Sequence, residues 1–250
     1  MLAPTLLLVL ASSTFAAPTN NDVTYALAVN FGDPTTPEMM KCLKSSGYQS
    51  AFVAGFNRGF GFLPNSVASI RNAYNAGLET EVFMQPQPNG NLVGSQQLDI
   101  LVQGLTDNGI VIRTVWISVN NPPEWQSDQV KNTIFLNSIL NRARQLGIVP
   151  GIAVSSSDWA QITNNWTGAG SDVLLWYVNV PGQGPSGESP PNFDDYVAFG
   201  GFKTMIIKQF AQGETVCGLS VNRDVYAIGI SMKKTYIDKS GMIVVGGIGL

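Results

Sequence analysis

The 250-residue chain contains no histidine. That absence removes Ser-His-Asp and Cys-His hydrolysis, His-ligated zinc and the usual near-neutral general base together. Any acid-base chemistry must therefore use Asp or Glu. Cysteine is almost absent as well. Cys42 and Cys217 are too few for a zinc cluster, suffice for one disulfide, and have no imidazole beside them to activate a thiol. Neither a metal nor another cofactor is expected. Charged residues make up only 12% of the chain, with a formal net charge of -3 and an isoelectric point near 4.9. Such a chain offers no basic footprint for nucleic acid. The apolar end at 242–250 is too short to cross a bilayer, so no membrane partner is expected, and the chain reads as a monomer.

What is present begins with an apolar run from Met1 to Leu10, followed by small residues up to Ala17. This pattern reads as a signal peptide over 1–17 with cleavage near Ala16 or Ala17, the alternative being a buried first helix. Export implies an oxidising compartment. There Cys42 and Cys217 would close a long loop worth ~3–5 kcal/mol of chain entropy. Asn165-Trp166-Thr167 is an N-glycosylation sequon, which marks an exposed loop if used.

Short β-rich runs alternate with helix-like stretches, the pattern of a parallel sheet with crossover helices. Strands are expected at 24–31, 50–56, 80–84, 111–119, 148–154, 173–178, 204–210 and 219–226, and helices at 37–46, 65–76, 95–107, 128–146 and 158–164. Gly47, Gly77, Gly109 and Gly147 stand where helix C-terminal caps belong. Eight strands in one domain of this size point to an α/β fold, a distorted (β/α)8 TIM-like barrel over 18–228. The Pro- and Gly-rich stretch 181–191 reads as a long loop after the sixth strand. The link 211–218 is too short for a full helix, and 229–250 is expected to be an appended, poorly ordered tail.

An ordered set of segments carries a resemblance. It comprises CLKSSGY at 42–48, AGLETEVFM at 76–84, PQP at 86–88, VWI at 115–117 and LLWY at 174–177. It continues with GPSGE at 184–188, NFDDY at 192–196, KQF at 208–210 and VNRDVY at 221–226. Over roughly residues 23 to 226 the chain resembles the nematode lysozyme-like proteins, relatives of protist lysozymes and of glycoside hydrolase family 25. The resemblance implies a secreted barrel acting on bacterial peptidoglycan between N-acetylmuramic acid and N-acetylglucosamine, in innate defence or in digestion of bacteria. The gut lumen is one setting it suggests. The wider family carries an Asp at the end of its first strand and Asp-x-Glu at the end of its fourth. Here Asn30 stands at the first position and Ser118-Val119-Asn120 at the second.

Glycoside hydrolysis needs one acid to protonate the leaving oxygen and a second carboxylate to stabilise or attack the oxocarbenium-like centre. An amide does not ionise, and a Ser hydroxyl without a base beside it is a poor substitute. Asn30, Ser118 and Asn120 can still hydrogen-bond a sugar, or simply satisfy strand ends. Among replacement acids, Glu124 follows the fourth strand on the correct side of the barrel, although it also reads as a solvated loop charge. Asp224 lies on the strand where the family commonly directs an Asp into the cleft. Asp158 opens a helix and reads as an N-cap, at least one of Asp194 and Asp195 as a helix-start residue, and Glu81 as a buried, paired structural acid. Trp116 is expected in the core. Of the neighbours Trp176 and Tyr177, only one can point into the barrel, and either could stack on a sugar.

Two functional readings follow. One is a muramidase with reduced or rearranged chemistry, its acid Glu124 or Asp224. The other is a pseudoenzyme that binds glycan through Asn30, Ser118, Asn120, Trp176, Tyr177 and Asp224. A barrel serving an unrelated ligand is a third.

Overall fold

A computed structural model describes residues 23–250; the leader expected at 1–17 lies outside the described residues. In chain order the first half runs β1 (Tyr25–Phe31), α1 (Pro37–Ser45), β2 (Tyr48–Asn57), β3 (Gly61–Phe62), α2 (Asn65–Asn75), β4 (Glu79–Met84) and α3 (Gly94–Thr106). It continues with β5 (Ile110–Ile112), β6 (Thr114–Ser118), α4 (Gln129–Gln145), β7 (Val149–Val154), α5 (Ser156–Thr163) and β8 (Leu174–Val178). The last third is all β: β9 (Ile207–Val216), β10 (Leu219–Ala227), β11 (Tyr236–Ile237) and β12 (Ile243–Val245).

Eight strands close into a barrel in the order β1-β10-β9-β8-β7-β6-β4-β2, with β1 pairing β2 to complete the ring. Strand periodicity decides what fills it. Along β6, Thr114, Trp116 and Ser118 point inward, while Val115 and Ile117 join the layer beneath the helices. The interior takes two large rings, Trp116 and Trp176, set edge to face at 5.9 Å between centroids. Room for them comes from Ala26, Ala28, Ala54 and Ala153 on the surrounding strands. At Gly151 a Cβ would sit 2.3 Å from the Trp116 ring, so only glycine fits there.

The barrel departs from all-parallel winding at one strand: β10 runs antiparallel to both β9 and β1. The cause is local. β9 continues to Val216 and turns through Cys217 and Gly218, both at positive φ (55° and 76°), before pairing Val216 with Leu219. A two-residue turn of this kind makes a hairpin, whereas a parallel return needs a crossover of about a dozen residues. The turn is pinned by the Cys42–Cys217 disulfide to α1.

The segment 229–250, expected as a poorly ordered tail, instead closes the end of the barrel opposite the strand C-termini. β12 pairs in parallel with β5, β11 pairs with β12, and Ile248 is buried in the barrel interior. Glu81 holds this segment. Its carboxylate accepts from the Gly247 and Ile248 backbone N–H groups (2.6 and 2.9 Å) and from Trp116 Nε1 (2.9 Å), as well as from the Thr114 hydroxyl. Burial raises the Glu81 carboxyl above its usual range, against these lowering hydrogen bonds. Glu81 is thus a buried structural acid, satisfied by neutral donors rather than by the paired cation that buried acids commonly have.

Candidate active site

The C-terminal ends of the parallel strands surround a cavity of about 840 Å³. Asn30 is the penultimate residue of β1, Asn57 ends β2, Gln85 follows β4, Ser118 ends β6 and Asn120 lies two residues beyond it. Gln209 and Gln212 on β9 and Asn222 on β10 complete one wall, with Gln183 reaching in from the long loop after β8. Together with Asn121, nine amide residues line this mouth, against two carboxylates among its described residues, Asp33 and Asp158. An amide offers both donors and an acceptor, a match for sugar hydroxyl and acetamido groups. It cannot exchange a proton.

The floor is a connected network. Asn222 Nδ2 donates to Asn30 Oδ1 (2.9 Å), and Asn30 Nδ2 donates to Gln209 Oε1 (3.1 Å) and Asp224 Oδ2 (2.9 Å). Trp176 Nε1 donates to the other oxygen, Asp224 Oδ1, at 2.9 Å. Asp224 is fully buried, and loss of hydration pushes its carboxyl up to about 8 despite the two lowering hydrogen bonds. It therefore holds its proton at neutral pH. Asp224 has the charge state of an acid catalyst but not the access: Asn30 and the Trp176 indole line the cavity, and Asp224 lies beneath them.

Glu124 is displaced from the position its sequence context suggests. It ends a one-turn 3-10 helix, Pro122–Glu124, that leads away from β6 and is absent from the residues lining the mouth. Its side chain is 51% exposed and faces Arg58 at 3.9 Å, a solvated pair worth little. Asn120 keeps its place in the mouth and accepts from Arg58 Nη2 at 3.2 Å.

Asp158 also differs from its expected role. Ser155 is the N-cap of α5, its Oγ accepting from the Asp158 N–H at 3.0 Å, and Asp158 sits one turn in with its side chain toward the cavity. Partial burial raises this carboxyl, opposed by a hydrogen bond from Ser155. Asp33 follows β1, which stands four places around the eight-strand ring from β7, the strand that leads into Asp158. The two carboxylates thus enter from opposite sides of the mouth rather than as a close pair.

Trp176 is the inward member of its dipeptide. It lines the mouth, although only 2% of it is exposed. Tyr177 faces outward and packs against Tyr196 and Phe199, so its expected place at the cleft is corrected. The reason is strand alternation, which can send only one of two neighbours inward. Asp195 opens no helix: its Oδ2 takes the fully buried Lys208 Nζ at 2.5 Å and Asn179 Nδ2 at 2.8 Å, tying the long loop to β9. Asn165 lies exposed just after α5 at φ 55°, within the sequon. Asn57, Gln85, Gln209, Gln212 and Asn222 escaped the reading of the sequence. For Asn57 and Gln85 the usable signal was their place at strand ends on the barrel's functional face; Gln209, Gln212 and Asn222 lie within the β9–β10 hairpin.

Comparison with known proteins places this mouth in context. The sequence profile of the family described as "Lys-1: Lysozyme-like protein 1" matches residues 21–210. The chain is 52% identical over 243 residues to "Lysozyme-like protein 1" of Caenorhabditis elegans, covering 92% of this chain and 81% of that protein. It is 32% identical over 200 residues to "Probable GH family 25 lysozyme 2" of Dictyostelium discoideum, covering 79% and 89%. Among solved structures, the bacterial lysozyme from Streptomyces coelicolor superposes with a TM-score of 0.63 at 18% identity, covering 82% of this chain and 93% of that one. A family GH25 lysozyme from Aspergillus fumigatus gives 0.63 at 16% identity, covering 81% and 94%. At such identities the structural likeness speaks for the fold alone.

Proposed function

The chain belongs to the lysozyme-like protein family, and from that premise we propose that it acts on bacterial peptidoglycan by holding the glycan in the barrel mouth without cutting it. The observation that carries this reading is the composition of the mouth. Nine amide residues surround the cavity, while Asp224, hydrogen-bonded into the floor network, is buried beneath Asn30 and Trp176 and neutral. Glycosidic cleavage by the usual two-carboxyl route places the pair roughly 5–5.5 Å apart for retention or 6.5–9.5 Å apart for inversion. Asp33 and Asp158 enter from opposite walls. We further propose export through the leader at 1–17, and service as a monomer in defence against bacteria or in their digestion, with neither nucleic acid nor membrane as partner.

The test incubates the purified mature chain with insoluble peptidoglycan between about pH 4 and 7, measuring protein retained on the pellet and muropeptides released. Retention without release is expected. Release would replace binding by hydrolysis, and the raised, cavity-facing carboxyl of Asp158 favours that residue as the proton donor. Asp158→Asn would then abolish release. Absence of both signals would defeat the proposal.

A further inference from the structure

The turn between β2 and β3 places one aromatic ring at the lip of the cavity in an unusual setting. Phe60 is 82% exposed and lines the mouth. Large apolar side chains scattered on a surface need no explanation, but this one stands at the rim of the site. Its neighbours keep it clear. Gly59 and Gly61 adopt positive φ (92° and 74°), and a Cβ on either would meet nothing within 4 Å. The short turn thus needs glycine on each side for its backbone, and those glycines leave the ring unobstructed by neighbouring side chains.

The turn is also fixed in place. β2 and β3 pair through Phe56 with Phe62 and Asn57 with Gly61, and the Phe60 N–H donates to Asn57 O at 3.1 Å. Asn57 Nδ2 donates to Gln85 Oε1 at 2.7 Å, linking the turn's base to the end of β4. Arg58 spans the lip to Asn120 on the β6 side. A free ring on an anchored base incurs little ordering cost when a ligand meets it.

We infer that Phe60 is a stacking platform for a pyranose ring of the glycan, extending the amide-lined mouth outward by one sugar site. This rests on the glycan-binding function proposed above. A pyranose has an apolar face of axial C–H groups and a polar rim. Phe60 would cover the face, while Asn57, Gln85 and Asn120 lie on the same side of the mouth to meet hydroxyl and acetamido groups. Arg58 acts as a positioning residue, holding the lip against Asn120.

The test compares wild type, Phe60→Ala, Phe60→Trp and Val130→Ala in pelleting with insoluble peptidoglycan and in titration with soluble N-acetylglucosamine tetramer. Val130 is a control because it is 66% exposed on α4, among the helices outside the barrel. Loss of one stacking contact should weaken Phe60→Ala by roughly 5- to 30-fold. Phe60→Trp should bind at least as well as wild type, and Val130→Ala should match it. If wild type binds while Phe60→Ala binds equally well, the platform is wrong and the glycan-binding function stands. Equal losses in Phe60→Ala and Val130→Ala would reveal unspecific apolar adsorption and also overturn it. If wild type binds neither probe, the proposed function fails and the platform falls with it.

Discussion

Asp224→Asn should make the protein less stable in acid and more stable in mild alkali, with the two stability curves crossing near pH 5. The folded carboxyl keeps its proton up to about pH 8, against an ordinary value of 3.8. Between those limits the folded state binds more protons than the unfolded chain, so stability falls as pH rises. The contribution is full below pH 3.8, declines through the interval, and is exhausted above about 8. At ~1.4 kcal/mol per unit, the span amounts to about 6 kcal/mol. The amide escapes that loss but carries its own cost. Both oxygens of Asp224 face donors, Asn30 Nδ2 and Trp176 Nε1, and an amide has one oxygen. The indole cannot reverse its donor, and Asn30 is held by Asn222 and Gln209. One donor is therefore left facing an NH₂, at about 1–3 kcal/mol.

A fixed cost of about 2 kcal/mol offsets a gain of ~1.4 kcal/mol per pH unit within one to two units of the unfolded value, which sets the crossing near pH 5. At pH 8 the variant should lead by a few kcal/mol, on the order of 10 °C in melting temperature. Urea unfolding of both proteins from about pH 4 to 9 measures this directly. The chain suits the experiment because it has no histidine to titrate in the window. Glu81, Asp158 and Glu188 are raised chiefly by burial and also slope the wild-type curve downward, but the difference between the two proteins isolates Asp224. Parallel curves across the whole range would show that Asp224 is ionised and hydrated in the folded protein, and would refute the reasoning.

Two further perturbations probe the scaffold. Replacing Cys42 and Cys217 by Ser opens a loop with a sequence separation of 175 residues, which should lower stability by up to about 5 kcal/mol on the chain-entropy model. An unchanged urea midpoint would mean that the unfolded chain is not restrained by the bond. Glu81→Ala strands two backbone N–H groups, the Trp116 indole and the Thr114 hydroxyl, for a loss of about 3 kcal/mol or more. Limited proteolysis should then cut first within 229–250, with Glu81→Gln intermediate; cleavage elsewhere would separate Glu81 from the ordering of that segment.

Most of the architecture could be read from local patterns. Apolar runs of strand length and glycines after helices located seven of the eight barrel strands and the five helices within about three residues, because period and capping act over short distances. By contrast, β9 runs six residues past its expected end, through most of the segment expected as a link. The direction of β10 was hidden by a turn whose first residue is Cys217, not a residue that signals positive φ. The order of 229–250 was hidden because Glu81 and its donors at Gly247 and Ile248 are separated by about two-thirds of the chain. At the site, Asn30, Ser118 and Asn120 could be placed at the mouth because they lie at or just beyond strand ends. Gln209 and Asn222 were missed because the antiparallel hairpin, unforeseen, brings them to the wall. Glu124 was misplaced because the positive φ of Asn121 and two prolines turn the chain away from the mouth.

The distribution of carboxyl groups argues for binding more strongly than the loss of any one of them. The barrel axis still carries acids, but each is committed. Glu81 saturates its oxygens on neutral donors where 229–250 closes the barrel, and Asp224 is neutral and capped by Asn30 and Trp176 beneath the mouth. An Asp at position 30 would face Asp224 across the present 2.9 Å hydrogen bond. Two carboxyls so close cannot both ionise, and they would share a proton as a dyad does. Asn30 removes that conflict: its amide donates to Asp224 and Gln209 and accepts from Asn222, closing a network that an ionised side chain would break. Asn30 thus leaves the mouth without a carboxylate at that position and at the same time completes the floor, an arrangement that supports the glycan-binding function proposed above.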